Sequence, residues 1–246
     1  MLNFCVSLTT IPPRYSTLKK TLDSLQKQNK YPDQIFLNIP NHFKRFSNFE
    51  FNFNELTKKY KNLKINRCED FGPGTKLLGS LNEILSYDFV ILIDDDHIYK
   101  NEMLEIFYNQ AFKNSNDSYS FCVYDILDCK VGQGADGFMI YTKHLKNILK
   151  FFNHYVKNNN NFFLNDDLWI SIYLNKILKI NIESLFPLIK KSFFKKNKSI
   201  YKKHTQLGAI IETYSSNRKE ARKKKFLENC EEYLLLKDKT KNFTNV

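Results

Sequence analysis

Residues 89–99 read FVILIDDDHIY: five apolar residues in a row, then three adjacent carboxylates and a histidine. A continuous apolar run fits a strand buried on both faces, whereas adjacent aspartates repel one another and have poor strand propensity. A trio of acids at a buried strand end needs positive charge opposite it. Side chains alternate along an extended chain, so Asp94 and Asp96 are expected on one side of the strand's carboxyl end, with Asp95 turned away. That edge of an open parallel sheet is where ligands commonly bind. Hard oxygen donors select Mg²⁺ or Mn²⁺, ions that keep part of their coordination shell for phosphate oxygens. The chemistry read from this stretch is a divalent cation that holds a nucleoside-diphosphate compound and stabilises charge on a departing diphosphate.

Further groups could share that chemistry. Asn165-Asp166-Asp167 opens DDLWISIYLNKIL, an apolar pattern at helical spacing. Acids in a first helical turn are common for dipole reasons alone, which leaves a structural role open beside a catalytic one. The segment GADGFMI has glycines that let a ligand approach the backbone, and one acid, Asp136, suited to sugar hydroxyls. Trp169, the single tryptophan, could stack on a sugar or fill the core.

These groups must be positioned by regular elements, and the hydrophobic pattern supplies them. NFCVSLTT (3–10) reads as a first strand that ends at the prolines of IPPR. Leu18, Leu22 and Leu25 then share one face of a helix over 16–29, with Ser16 as its expected cap. DQIFLNI (33–39) and LKINRC (63–68) are strands two and three. The Gly-Pro-Gly of EDFGPGTKLLGSLNEIL delivers Lys76 to the start of a helix, ahead of the 89–93 strand. Helices are expected from about Glu102 to Phe112, near 144–156, and from Asp166 onward, with KNNNN an exposed loop. Strand and helix alternate, which predicts a parallel sheet.

Composition narrows the class. At 246 residues, with 42% hydrophobic and 15% aromatic content, the chain can bury the core of one α/β domain. The net charge of +12 predicts attraction to polyanions: nucleic acid, an anionic membrane or a phosphorylated ligand. Much of the excess lies in KKSFFKKNKSIYKKH and NRKEARKKK. Nucleic-acid binding would want aromatics interleaved with Lys and Arg on a sheet face, and only SFFKKNKSIYKK approaches that. Five cysteines without a CxxC pair argue against a zinc ribbon or a disulfide framework and favour a reducing compartment. The amino terminus has no basic n-region or apolar span, so the protein is expected to be soluble and cytoplasmic.

ILIDDDHIY resembles the DxD motif of the GT-A glycosyltransferases. The order VSLTTIPPR, EDFGPGTKLLG, the Asp trio, GADGFMIY, DDLWISIYL is similar to that of small stand-alone members of this superfamily over residues 4–215. The resemblance implies a single α/β domain over 1–215, Rossmann-like with a mostly parallel sheet flanked by helices, and a basic helical extension over 216–246 packed on it. It implies transfer of a sugar from a nucleoside-diphosphate sugar, UDP favoured, to a hydroxyl of a glycan, glycolipid or protein.

Carried over by position, the resemblance implies that Thr9, Thr10, Pro12 and Arg14 hold base and ribose. Asp70 would contact the nucleoside and Lys76 phosphate. Asp94 and Asp95 would approach ribose or sugar, and Asp94 and Asp96 would ligate Mn²⁺ or Mg²⁺. A further ligand would come from His204, with His97 its competitor. Asp167 would be the general base of an inverting transfer and Asp166 would hold the acceptor, alongside Asp136, Gly137 and Trp169. The family's commoner Glu-Asp pair is Asn-Asp-Asp here, which leaves the register of the base open. Two other readings stand: a phosphatase of the haloacid-dehalogenase type, whose Asp-x-Asp normally lies near the amino terminus, and a basic nucleic-acid-binding protein. The basic carboxyl-terminal region also offers peripheral membrane contact.

Overall fold

Apolar residues run unbroken through the strands because both faces of the sheet are covered. The computed structural model describes residues 1–47, 50–191, 200–205, 207, 218–241 and 243. The first half comprises β1 (Phe4–Thr9), α1 (Leu18–Leu25), β2 (Gln34–Pro40), α2 (Asn54–Lys59), β3 (Leu63–Cys68), α3 (Thr75–Leu78), α4 (Leu81–Ile84), β4 (Phe89–Leu92), β5 (His97–Tyr99) and α5 (Met103–Ala111). The second comprises β6 (Ser118–Ser120), β7 (Val123–Ile126), β8 (Cys129–Gly132), β9 (Phe138–Tyr141), α6 (Ile148–Phe151), α7 (Asn160–Phe163), α8 (Asp166–Ile172), β10 (Ile182–Ser184), α9 (Phe186–Lys191), β11 (Tyr201–Lys203) and α10 (Arg218–Lys239).

Seven strands form the main sheet in the order β10-β6-β9-β4-β1-β2-β3. β3, β2, β1 and β4 run parallel to one another, β10 runs parallel to β6, and β9 runs antiparallel between β4 and β6. Beyond it, β7 pairs with β8 and β11 with β5, both antiparallel. This is the mostly parallel α/β sheet expected. The side-chain period of two divides the core: Phe89, Ile91 and Ile93 join Val6, Leu8, Ile35, α1 and α5 on one face. Val90 and Leu92 join Cys5, Phe36, Leu77, Leu168 and Trp169 on the other. Each buried side chain of this size contributes about 1.5–3 kcal/mol, so the central strand is held by burial despite the acids that follow it.

Several local expectations are corrected. β4 stops at Leu92 and the Asp trio lies in the turn before β5, so strand alternation does not orient it. Ser16 does not cap α1; the residue before the helix is Thr17, whose hydroxyl donates to the Arg14 carbonyl. The asparagine run is not a plain loop: the Asn159 side chain caps α7 by accepting from the backbone N–H groups of Asn161 and Phe162. The helix expected near 144–156 begins at Ile148 and passes into a π-helical turn over Phe152–Val156. All five cysteines are free thiols. Most of SFFKKNKSIYKK lies outside the described residues. Among the described residues no helix is long and apolar enough to cross a membrane.

Candidate active site

The Asp trio sits at the carboxyl end of β4, beside the ends of β1 and β2, and is folded tightly inward. Asp95 and Asp96 are each 3% exposed. Tyr99 pins the turn: its hydroxyl accepts from the Asp94 N–H and donates to the Asp94 carbonyl, both at 3.0 Å. The positive charge that three acids require comes from the chain itself. Arg14 Nη1 lies 2.5 Å from Asp95 Oδ1, and Nη2 lies 3.3 Å from Asp96 Oδ2. Lys203 Nζ, delivered by β11, is 3.1 Å from Asp96 Oδ2, and Lys76 Nζ is 2.5 Å from Asp94 Oδ1.

These contacts alter the role of each acid. Burial pushes the Asp95 carboxyl up, and the adjacent Arg14 and Thr10 only partly offset it. Asp94 and Asp96 also pay for burial, but Lys76 holds Asp94 below its usual range, and His97, Arg14 and Lys203 hold Asp96 low. Both Asp95 oxygens are occupied, by the Thr10 hydroxyl at 2.6 Å and by Arg14. Asp95 is therefore a clasp on the loop after β1 and not an open contact for ribose or sugar.

Asp94, Asp96 and His97 bring ligand atoms within 4.8 Å of one another. Asp96 Oδ1 and His97 Nδ1 are buried and lack an aligned hydrogen-bond partner, although they lie 2.5 Å apart. Two carboxylates and one imidazole, gathered this closely, form a donor set that fits a divalent cation. His204 is placed differently from expectation. Its backbone N–H donates to the Asp96 carbonyl, while its Nε2 lies 3.0 Å from the Thr21 hydroxyl, outside that cluster. The antiparallel register of β11 on β5 sets Lys203 opposite His97, so the strand offers the trio an ammonium and not an imidazole.

A second acid pair lines the same cavity, of about 330 Å³. α8 opens on Asp166, 7% exposed, and Lys76 Nζ reaches its Oδ2 at 3.1 Å. Lys76, itself 4% exposed, thus ties the Asp trio to the acids of α8; it is not a solvated lysine at a helix start. Burial, and then the neighbouring Asp166, raise the Asp167 carboxyl well above the usual range. Asp167 Oδ1 accepts from the Gly134 N–H at 2.9 Å. A Cβ on Gly134 would lie 3.0 Å from Lys76 Nζ and 3.1 Å from that oxygen, so the backbone approaches closely here.

The cavity wall includes Thr9, Thr10, Arg14, Asp70, Lys76, Asp94, Asp95, Asp96, Asp166 and Asp167, which brings most of the expected residues together. Thr9 spends its hydroxyl on the Asn38 carbonyl, and Asp70 accepts from the N–H groups of Lys44 and Gly72, so both also fix the rim. Pro12 starts the turn that aims Arg14 and is not on the wall. Two acceptor-side expectations are corrected. Trp169 is fully buried against Phe152 and cannot stack on a sugar, because it faces the core side of α8. Gly137, at φ +87°, is needed where a Cβ would strike the Phe107 ring, a packing contact and not a ligand contact. Asp136 is half-buried near His97 and Asp94, and burial raises its carboxyl to about 6. The wall also holds Phe43, Arg45, Phe46, Lys203 and Lys225, which sequence reasoning did not single out. Phe43, Arg45 and Phe46 follow β2 in an irregular stretch without periodicity; a basic-aromatic cluster after a strand was the only signal.

No family model matches the chain, and no curated protein matches it in sequence. Solved structures do match in fold. A mannosyltransferase of Pyrobaculum calidifontis, PcManGT, solved with GDP-Man and Mn²⁺, superposes with TM-score 0.53 at 11% identity over 74% of this chain and 54% of its own. S. aureus TarS superposes with TM-score 0.53 at 15% identity over 99% of this chain and 44% of its own. Its 1–349 portion, solved with UDP, gives 0.53 at 14% identity over 99% and 73%. The chain spans about half the length of the first two. The fold is that of the GT-A glycosyltransferases, with the acidic DxD cluster of Asp94 and Asp96 at the carboxyl end of its central strand.

Proposed function

We propose that the chain is a metal-dependent glycosyltransferase that moves a sugar from a nucleoside-diphosphate sugar, UDP favoured, to a hydroxyl of a glycan, glycolipid or protein, with inversion. The observation that carries this reading is that two acid pairs, Asp94 with Asp96 and Asp166 with Asp167, line one cavity on a GT-A sheet and are joined by Lys76. Mn²⁺ or Mg²⁺, held by Asp94, Asp96 and His97, would supply Lewis-acid stabilisation of the leaving diphosphate. Phe43 and Phe46 offer apolar surface to the base beside Asp70, and Arg14, Lys76 and Lys203 offer cations to the phosphates.

Asp167 is the base. A carboxylate raised by burial takes a hydroxyl proton more readily than a solvated one, and the Gly134 N–H fixes its direction. As the proton leaves, the acceptor oxygen attacks the anomeric carbon from the side opposite the diphosphate, and Asp166, steadied by Lys76, holds the acceptor. The cytoplasmic setting and peripheral membrane contact belong to this reading as well.

A thermal-shift panel of UDP- and GDP-sugars with Mn²⁺ or EDTA tests it. A ligand that binds only the folded state raises the melting temperature. Metal-dependent stabilisation by at least one nucleotide sugar is expected; a flat panel would sink the reading.

A further inference from the structure

The acid pair of α8 is held from outside its own helix. Asn165, the residue before Asp166, is of the type that normally caps a helix with its side-chain oxygen, yet it makes no such cap. Its amide instead points to α10: Nδ2 donates to Asn229 Oδ1 at 3.0 Å and to Glu232 Oε2 at 2.9 Å. Glu232 can only accept as a carboxylate, so the NH₂ end of Asn165 must face it, and both amide hydrogens are used. Asn229 and Glu232 are each 6% exposed, although α10 is a surface helix with Phe226, Leu227, Leu234 and Leu235 facing outward. Polar groups buried at that cost are kept where they fix a geometry. One turn before Asn229, on the same face of α10, Lys225 lines the cavity. The residue after Glu232 anchors the helix to a different partner: the Tyr233 hydroxyl donates to Asp128 Oδ1 at 2.5 Å, and Lys237, one turn further on, joins the same carboxylate.

We propose that Asn229 and Glu232 are positioning residues for the acid pair, so that the carboxyl-terminal helix is a working part of the site and not an appended basic tail. Through Asn165 they set where α8 begins, and with it the direction of Asp166 and Asp167 into the cavity. Displacing a catalytic group by about 1 Å costs on the order of a hundredfold in rate. The inference rests on the glycosyl-transfer reading above.

The test uses the full chain with Mn²⁺ and the nucleotide sugar that stabilises wild type most, following nucleoside-diphosphate release with water as acceptor. Glu232→Ala is expected to lower kcat by about 10- to 100-fold while the donor KM stays within about twofold, the split produced by a misdirected base. Glu232→Gln, whose amide oxygen still accepts from Asn165, is expected to recover most of that rate. Tyr233→Phe loosens α10 at its other anchor and is expected to lower the melting temperature with kcat unchanged. Should Glu232→Ala not fold, Asn229→Ala removes one acceptor and carries the same comparison. An unchanged kcat in these alanine variants, or an equal loss in Tyr233→Phe, overturns the proposal while leaving the transferase reading intact. A wild type that neither binds nor cleaves any donor overturns both.

Discussion

Replacing Lys76 by methionine probes the charge balance of the site most sharply. Its ammonium is 4% exposed and lies 2.5 Å from Asp94 Oδ1 and 3.1 Å from Asp166 Oδ2. Burial works against the charge, yet Asp166 and then Asp94 more than offset it and hold the pKa well above the ordinary lysine value. Methionine keeps the stem and removes the cation, which strands Asp166 and the half-buried Asp94. Deleting one partner of a buried ion pair costs about 3–5 kcal/mol. In a chain of this size about 1 kcal/mol corresponds to about 2–4 °C, so the melting temperature at pH 7 should fall by roughly 6–20 °C. The sign with pH follows from Asp94, whose pKa is lowered from 3.8 by the lysine. Its stabilisation is present above the unfolded value and is lost as pH falls through the folded one. The deficit of Lys76→Met should therefore narrow on acidification below about pH 4. Scanning calorimetry from pH 3 to 8, with Asp94→Asn and the double variant, measures both effects, and the double variant should lose less than the two single losses combined. A deficit under about 2 °C at pH 7, or one that persists in acid, would refute a buried charge bridge.

Three other perturbations have defined outcomes. Asp136, raised by burial to about 6, destabilises the fold once ionised, so stability falls as pH rises from 3.8 towards 6. The shift corresponds to at most about 3 kcal/mol, less what solvent screens at a half-buried group; Asp136→Asn in EDTA should melt higher than wild type at pH 7.5 and alike at pH 4. Asp167→Ala should keep its donor-induced thermal shift while turnover drops by about a hundredfold or more; normal turnover would move the base elsewhere. Trp169→Phe should cost stability, as a large-to-smaller change in a packed core does, and leave activity within about threefold; the wild-type indole fluorescence should resist acrylamide, and strong quenching would contradict its burial.

Local pattern carried the reading where local physics decides structure. The third strand falls on Leu63–Cys68 as expected, and Leu18, Leu22 and Leu25 are fully buried, because apolar periodicity reports burial directly. The position of the Asp trio at a buried strand end was legible for the same reason. Its orientation was not, since alternation stops where the strand stops. The cations that answer the trio were invisible: Arg14 lies 81 residues from Asp95, and no sequence spacing signals a contact of that range. Lys203 is there only because β11 pairs with β5, and that register also decides that His97, not His204, shares a cluster with Asp94 and Asp96. Trp169 had two readings on an apolar helix, and packing against Phe152 chose the core. The hold of α10 on the Asn165 side chain was not legible either, since its partners lie 64 and 67 residues further along the chain.

Calorimetric titration of the donor selected by the thermal-shift panel tests the central claim most directly, run in Mn²⁺ and in EDTA on wild type and on Asp96→Ala. Binding at a single site, tightened about tenfold or more by the metal in wild type and indifferent to it in the variant, is the expected result. Equal affinity with and without metal in both proteins, or no heat of binding at all, would contradict a donor held by a cation on Asp94 and Asp96.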